Sequence, residues 1–404
     1  MKGIETSENK SSTRLTIVGY VLFTFLGYVC IGLPLAVLPI FVTKGLGYSA
    51  IVAGIVISLQ YVTTFITRGL SGNLIDKYGP KQSVFTSMIC FMLNGALLYI
   101  TYLCRHHTAI SLWVLIAGRL ITGCAEGFIG ASPITWAMTD VGKKYTATII
   151  SYNGIASYGA LAVGAPLGVL LNQAFGLDAI SLLILLLGIS GYTIARSKKN
   201  IVLKKEPGNT PHISFLSVLK KVSPYGIGLL TAGMGFGTIS NFITLYYDHF
   251  HWSDAALCLS VFSILFITGR LFFSNAIDKY GGIKVAIGCL ICETIGLFIL
   301  SVLYLPAYAL IGAAITGLGF SLVFPALGTE AVKLFSDERS GAAIAAYGLF
   351  IDISLGITGP VIGGVIQTFG IQYIFAFSTG IVFIGLLICT YLNKELPRAV
   401  VKGI

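Results

Sequence analysis

Charged residues are scarce in this chain: they make up 10% of its 404 residues, against a hydrophobic fraction of 55%. A water-soluble domain carries roughly 25% charged residues, so this chain has too few to cover a water-soluble surface. Lipid is therefore the predicted solvent for most of the chain. In lipid every backbone polar group must be bonded internally, either in helices or in a closed barrel.

Breaks in the apolar runs are also few. Seven runs contain no Asp, Glu, Lys or Arg, and each is longer than the about 20 residues that a membrane-spanning helix needs. A barrel would show short segments of alternating polarity instead, so the runs favour helices. The seven runs are 15–43, 45–67, 82–104, 145–177, 222–247, 294–329 and 353–393.

The charged residues between these runs, and tight loops near Pro306 and Gly370 within the last two runs, divide the chain into separate spans. The sequence therefore predicts an all-α membrane protein with twelve transmembrane helices. The helices are expected to form two pseudo-symmetric six-helix bundles. The predicted spans 1 to 12 are 16–43, 50–73, 82–103, 110–139, 146–171, 178–196, 222–248, 254–276, 283–304, 307–334, 341–369 and 372–393.

One long polar stretch, residues 197–221, divides the chain and is read as a basic cytoplasmic linker. It separates an N-terminal six-helix bundle, 16–196, from a C-terminal six-helix bundle, 222–393. The tails 1–15 and 394–404 are expected to be cytoplasmic.

The two halves repeat a motif. The segment Asn73–Gly79, NLIDKYG, recurs as NAIDKYG in Asn275–Gly281, and each copy follows an arginine at the same spacing, Arg68 and Arg270. An even number of spans in each half gives both halves the same orientation. The sequence therefore predicts a parallel internal repeat, as in transporters built from two similar halves.

Basic residues are unevenly distributed between the loops. The loops on one side hold only Lys44 and Arg105, whereas nearly all the rest of the 26 Lys and Arg residues lie on the other side. By the positive-inside rule that basic side is cytoplasmic, with both termini, in a multi-pass protein of the cell inner membrane. Nucleic acid is not an expected partner, because the basic residues are spread over seven cytoplasmic segments.

Signals for cofactors and for other protein classes are missing from the sequence. No phosphate-binding G-x-x-x-x-G-K-[ST] loop is present, which disfavours ATP-driven transport. Cys289 and Cys292 form a C-x-x-C without a second pair, and zinc needs four ligands, so no metal is predicted. A membrane enzyme and a sensory receptor are the rival classes. The chain has neither a nucleophile–base set nor a soluble output domain, so a non-enzymatic carrier without cofactors is preferred.

Several motifs resemble those of the major facilitator superfamily of secondary transporters. The segment Gly72–Lys81 resembles the family motif G-x-L-a-D-r-x-G-r-k. Arg119, Gly123 and Gly127 resemble a second motif, with Thr122 where the family usually has Gln. The Gly-Pro motif of the family's antiporters is matched in span 11 and, less closely, in span 5, by Gly356, Gly359, Pro360, Gly363 and Gly364, and by Gly164, Pro166 and Gly168.

Segments 32–39, 57–61 and 319–328 look like the YhhS-type subfamily of sugar-efflux-like or drug-efflux-like permeases. The resemblance implies a monomeric carrier that works by alternating access in the lipid bilayer. Its substrate would be a small polar or amphipathic organic molecule, exported by antiport in exchange for protons. The alternative is a proton-coupled importer of a sugar, an organic acid or a siderophore.

Ionisable residues inside spans are costly and usually functional. Glu126 is the first proton-coupling candidate, because it lies mid-span and two turns, ~10 Å, from Arg119 on the same helix face. Burial favours the protonated form of a carboxyl and a nearby arginine favours the ionised form, so such a group can exchange protons. Asp352 in span 11 is the second candidate. Glu293 in span 9 is expected to make a buried contact between helices.

A second group of polar residues in or near spans could line a cavity for a polar solute, although each could equally join neighbouring helices. The substrate-cavity candidates are Arg119, Gln60, Tyr61, Tyr28, Asn153, Tyr158, Asn241 and Thr244.

The repeated motif is expected to form the cytoplasmic gate. The family resemblance implies that Asp76 and Asp278 brace the closed gate and that Gly72 allows close helix approach. Arg68 and Arg270 are possible partners of the two aspartates.

Overall fold

A computed structural model describes residues 7–201, 215–335 and 340–401 of the chain. Regular structure within these ranges is helical throughout, and twelve helices are long and apolar enough to cross a membrane. The all-α prediction with twelve spans is confirmed. Three parts of the predicted tails and linker lie outside the described residues: 1–6, 202–214 and 402–404.

The helices keep the predicted order, and several spans consist of two segments. The continuous spans are Ala50–Tyr78 (span 2), Pro80–Leu103 (span 3), Thr146–Phe175 (span 5), Leu177–Ser197 (span 6), Phe215–His249 (span 7), Gly282–Val302 (span 9) and Ser340–Phe369 (span 11). The interrupted spans are Thr108–Ile129 with Ser132–Val141 (span 4), Ala255–Phe272 with Asn275–Tyr280 (span 8) and Pro306–Phe320 with Val323–Val332 (span 10). Span 1 consists of Ser7–Gly32, Leu38–Ile40 and a π-helical turn Phe41–Gly45, and span 12 of a 3-10 turn Ile371–Tyr373 followed by Ile374–Val401.

The prediction of a continuous span 1 over 16–43 is wrong. Its first helix ends at Gly32, and helical structure resumes at Leu38. Pro34 has no N–H with which to continue the helical bonding pattern, so the helix stops before it. At the break, a side chain at Gly168 of span 5 would collide with the Leu33 carbonyl oxygen, so only glycine permits this approach.

Spans 4, 8 and 10 are also interrupted, contrary to the continuous helices predicted there. Span 4 restarts at Ser132 and span 10 at Val323. Pro133 and Pro325 stand near the start of the restarted segments, where a missing N–H is tolerated. Neither a proline nor a glycine explains the break in span 8 at residues 273–274.

The repeated motif ends in the same turn in both halves. Gly79 and Gly281 have φ of +90° and +84°, a conformation that favours glycine, and each separates two consecutive helices. The following Lys81 donates hydrogen bonds to the carbonyl oxygens of Arg196 (3.1 Å) and Lys198 (2.5 Å). This lysine therefore links the end of span 6 to the start of span 3, directly after the loop between spans 2 and 3.

Contacts divide the chain into two compact units. The first unit contains the residues up to Leu35 together with those from Val62 to the linker. The second contains Ala36–Tyr61 together with the residues after the linker. The N-terminal part of span 2 joins the second unit, where Gly54 meets Gly359 of span 11 at backbone contact.

Candidate transport site

Glu126 lies in the first helix of span 4 with 4% of its surface exposed. Its Oε2 accepts a hydrogen bond of 3.0 Å from the hydroxyl of Thr64 in span 2. The hydroxyl of Thr64 is also 3.2 Å from the Gly123 carbonyl oxygen, one turn before Glu126. Thr64 therefore links span 2 both to the Glu126 carboxyl and to the backbone of span 4.

Two further threonines join span 2 to span 4 beside Glu126. The Thr63 hydroxyl donates to the Leu120 carbonyl oxygen (2.9 Å), and the Thr67 hydroxyl lies 3.3 Å from the Gly123 carbonyl oxygen. Gly127 lies against the Thr67 side chain so closely that a larger residue would have no room. The glycines of the second motif therefore serve this contact between helices.

The sequence analysis missed these threonines. Thr64 directly follows Thr63, and Thr67 lies three positions further along the same helix. All three face the glycine-containing part of span 4. Hydroxyls opposite small residues are a known way to join membrane helices. That pairing was the signal available in the sequence.

Arg119 lies two turns before Glu126 in the same helix and is 2% exposed. The first unit therefore holds one basic and one acidic side chain inside the same span. An ionisable side chain at this depth is expensive in lipid and is retained where it has a function or a partner.

The other first-unit candidates lie on spans 1 and 5, which pack closely against each other. The Thr24 hydroxyl is hydrogen-bonded to Oδ1 of Asn153 (2.6 Å), which links the two spans. Tyr28 and Tyr158 are half-buried on the same two spans. Asn153 is thus engaged in helix–helix contact, one of the two roles that the sequence left open.

Candidates in the second unit also make packing contacts. Nδ2 of Asn241 donates to the Gly237 carbonyl oxygen of its own helix (2.8 Å). The Thr244 hydroxyl donates to the Ala36 carbonyl oxygen (2.5 Å), inside the break of span 1. Gln60 is fully buried, and Tyr61 packs against Gly356 of span 11. Thr244 therefore provides a hydrogen-bond donor to a buried carbonyl group inside the helix break.

Asp352, the second carboxyl candidate, lies in span 11 and is 5% exposed. The nearby Tyr347 hydroxyl donates to the Phe324 carbonyl oxygen of span 10 (3.0 Å). Asp352 belongs to the second unit and Glu126 to the first. The two proton-coupling candidates are therefore in different packing environments.

The predicted gate residues are mostly exposed. Asp76 and Asp278 are both exposed, and neither has an ion pair or hydrogen bond with a residue in the described ranges. The expected close helix approach at Gly72 is absent from this structure, since a Cβ there would have no neighbour within 4 Å. Arg68 is half-buried, and the Arg270 guanidinium lies 6.0 Å from the Phe266 ring centre. A bracing role for the aspartates stays a prediction, and it would belong to another conformation.

A groove of about 450 Å³ runs between spans 9 and 12. Its walls include Phe298 and Phe383, which are 54% and 47% exposed, and no charged residue lines it. In a membrane such a groove faces lipid chains, so we do not assign the transport site to it.

Comparison with known proteins places the chain among transporters. The family model described as the Major Facilitator Superfamily matches residues 20–356 and, in a second match, 226–403. A protein of Burkholderia mallei and one of Pseudomonas aeruginosa, each described as an uncharacterized MFS-type transporter, are 44% and 45% identical to this chain. The alignments cover 96% of this chain, and 94% and 96% of the relatives.

Solved structures with the same fold include three solute transporters, one of them human. The nucleoside transporter NupG, in a mutant form, aligns with a TM-score of 0.73 at 15% identity, over 93% of this chain and 99% of its own. A D-xylose-proton symporter aligns with a TM-score of 0.76 at 12% identity, over 94% and 96%. A human organic anion transporter aligns with a TM-score of 0.69 at 15% identity, over 93% and 99%. At these identities the likeness concerns the fold alone.

Proposed function

This chain belongs to the Major Facilitator Superfamily and is a multi-pass membrane transporter, and from that premise we propose that it is a proton-coupled exporter. It would move a small polar or amphipathic organic solute by alternating access, as a monomer. Export by antiport, and membership of the YhhS-type subfamily, are supported by the sequence resemblance of segments 32–39, 57–61 and 319–328.

Glu126 is the observation that carries the proton-coupling proposal. Its carboxyl is buried mid-span and receives a hydrogen bond from Thr64 of a neighbouring span. A buried, hydrogen-bonded carboxyl inside a span is a group that can take up a proton when water reaches it from one side of the membrane and release it when water reaches it from the other.

The solute class follows from the polar side chains in the spans. Arg119 is a buried cation in the same helix as Glu126, which supports a solute with an anionic or strongly polar group. The solved structures with this fold are named for a nucleoside, an organic anion and D-xylose. Those three chemical classes are therefore the first solutes to test.

The proposed orientation places both termini in the cytoplasm, with the protein in the inner membrane. The uneven loop charges support it, because Lys44 and Arg105 are the basic residues in the loops of the opposite side.

The test is a transport assay in proteoliposomes with an imposed pH gradient and a pH-sensitive dye inside. A nucleoside, a pentose and an organic anion would be added in turn, and proton movement and labelled solute would be measured together. Wild-type protein should couple the two fluxes, and the direction of the gradient that drives accumulation distinguishes export from import. Glu126→Gln should lose the coupled proton flux while retaining exchange of labelled solute for unlabelled solute.

Asp352→Asn is the matched variant in the second unit. It should retain coupling if Glu126 carries the proton. Coupled proton flux in Glu126→Gln at the wild-type level would refute the role of Glu126, and loss of coupling in Asp352→Asn alone would transfer that role to Asp352. Amounts of folded protein in the membrane must be compared for both variants, because each change alters a buried polar group.

A further inference from the structure

Glu293 is a buried acid for which the proposed transport cycle has no use. It lies in the middle of span 9 and has no exposed surface. Neither of its carboxyl oxygens has a hydrogen-bond partner among the residues that the structure describes. It differs in this from Glu126, which accepts a bond from Thr64.

Two glycines make room for this side chain. A Cβ at Gly235 of span 7 would lie 2.5 Å from Oε1 of Glu293, so the carboxyl group occupies the space that a side chain would fill. A Cβ at Gly319 of span 10 would lie 2.5 Å from the Glu293 backbone nitrogen. Leu297 and Val382 close the same space from spans 9 and 12. The carboxyl group is therefore aimed into an apolar slot at the surface of span 7.

Groups that could compensate an ionised Glu293 are remote. Cys289 and Cys292, whose thiols carry no positive charge, lie one turn and one residue before it on its own helix. Cys389 of span 12 faces Gly228, two turns along span 7 from Gly235. On spans 7, 9, 10 and 12 the other charged side chains that the structure describes lie about nine or more residues along their helices from this level, ~13 Å or more; they are Lys220, Lys221, Asp248, Lys284, Glu330, Lys333 and Lys394. Asp352 of span 11 is two residues from Ser354, which packs against Gly233 of span 7. As a second carboxyl it would repel, and not compensate, an ionised Glu293.

A carboxylate without a cation or a hydrogen-bond donor from the described residues around it is strongly disfavoured in such apolar surroundings. Glu293 therefore carries a proton in this conformation. Its ionisation requires water or a polar group to reach the slot, and the slot opens only if span 7 moves away from spans 9 and 12.

Span 7 is rich in glycine at the same level. Gly233, Gly235 and Gly237 fall within one and a half turns of its helix, and glycine lowers helix stability. Gly233 packs against Ser354 and Gly237 against Thr358, both of span 11. The helix therefore depends here on contacts with neighbouring spans more than on its own helix propensity.

We propose that Glu293 is a proton-binding site of the second unit, distinct from the transport carboxyl, whose bound proton keeps span 7 packed against spans 9 and 12. Release of that proton loosens span 7 at Gly233–Gly237. The ligand is the proton itself, and the consequence is a pH-dependent conformation of span 7. The inference does not depend on the proposed function, because it concerns a different carboxyl in the other unit.

Two measurements on the full chain in lipid nanodiscs test it, with Glu293→Gln compared to wild type. Infrared spectroscopy should show the carbonyl stretch of a protonated carboxylic acid at neutral pH that is missing from Glu293→Gln. Hydrogen–deuterium exchange of the span 7 amides in residues 229–241 should be the same in both proteins at low pH. At high pH exchange should be faster in wild type, and comparison at equal pH removes the intrinsic pH dependence of exchange.

Controls keep the outcome decisive. Glu293→Met, which is uncharged and of similar length, should behave like Glu293→Gln, so that an amide-specific effect is recognised. The pH-dependent difference in span 7 should persist in Glu126→Gln. A missing infrared difference would mean that Glu293 is ionised and would overturn the proposal. Equal exchange in wild type and Glu293→Gln at every pH would show a static acid, and loss of the effect in Glu126→Gln would assign it to Glu126; either result would also overturn it.

Discussion

Glu126 and Glu293 are the same residue type at nearly the same burial, with 4% and 0% of their surfaces exposed, yet their surroundings differ. Glu126 is held by the Thr64 hydroxyl of the neighbouring span, beside two further threonines that join spans 2 and 4. Glu293 enters a slot lined by Gly235, Leu297 and Val382, and none of the described residues donates a hydrogen bond to it there. Hydrogen bonding, rather than burial, separates the two.

The difference bears on what each carboxyl can do. An acid with a donor can exist in both protonation states without rearrangement of the helices around it. An acid without one changes its protonation state only together with its surroundings. The two proposals accordingly give the carboxyls different roles, proton coupling for Glu126 and a proton-dependent contact with span 7 for Glu293.

The largest expected effect comes from the glycines that adjoin the two acids. In Gly127→Ala the new methyl group would lie 2.8 Å from the Thr67 Cβ and 3.1 Å from the Arg68 backbone nitrogen, so span 2 itself must move. We expect a loss of about 3 kcal/mol in the free energy of unfolding. In Gly235→Ala the methyl group meets the flexible ends of Glu293 and Leu297, and we expect a loss of about 1 kcal/mol.

Thermal unfolding of purified protein in one detergent, compared at equal scan rate, checks this order. Gly288→Ala is the matched control in span 9, since a Cβ there has no neighbour within 4 Å. Equal losses at positions 127 and 235 would mean that the two acids are held equally tightly, which contradicts the comparison.

A smaller effect is expected from removal of the donor to Glu126. Thr64→Val keeps the shape of the side chain and deletes the hydroxyl that lies 3.0 Å from the carboxyl. A hydrogen bond between membrane helices contributes about 1 kcal/mol, so stability should fall by about that amount. Thr294→Val, next to Glu293, should cost less, because that hydroxyl bonds only to the Leu290 carbonyl oxygen of its own helix (2.7 Å). Similar losses in the two variants, measured by thermal unfolding, would remove the distinction between the acids.

The smallest effect is expected at an exposed carboxyl. Asp248 pairs with Lys44 at 3.0 Å, and the side chains are 36% and 65% exposed. Exposed pairs contribute about 0–1 kcal/mol and are screened by salt. Lys44→Gln should therefore change the unfolding temperature little at low salt and not at all at high salt. A loss of stability larger than that of Thr64→Val would mean that burial and hydrogen-bond donors do not determine how much each of these carboxyls contributes to stability.

The fold could be predicted from the sequence because lipid leaves few choices. Long runs without charge must be helices, and the repeated NLIDKYG and NAIDKYG segments indicate two similar halves. The interrupted helices were harder to predict, since proline is tolerated in membrane helices when neighbouring groups satisfy the freed backbone. Pro34 ends a helix in span 1, whereas Pro166 and Pro360 lie inside unbroken helices.

The candidate site could be predicted only in part. Composition and position along the chain determined that Glu126, Asp352 and Glu293 lie inside spans, because a charged residue in a long apolar run is visible in the sequence itself. Only the tertiary structure decided that Thr64 donates to Glu126 and that Gly235 leaves space for Glu293. Such partners come from other helices, at rotations about the helix axis that a run of apolar residues does not specify. The sequence therefore determined which acids are buried, and helix packing decided which of them has a donor.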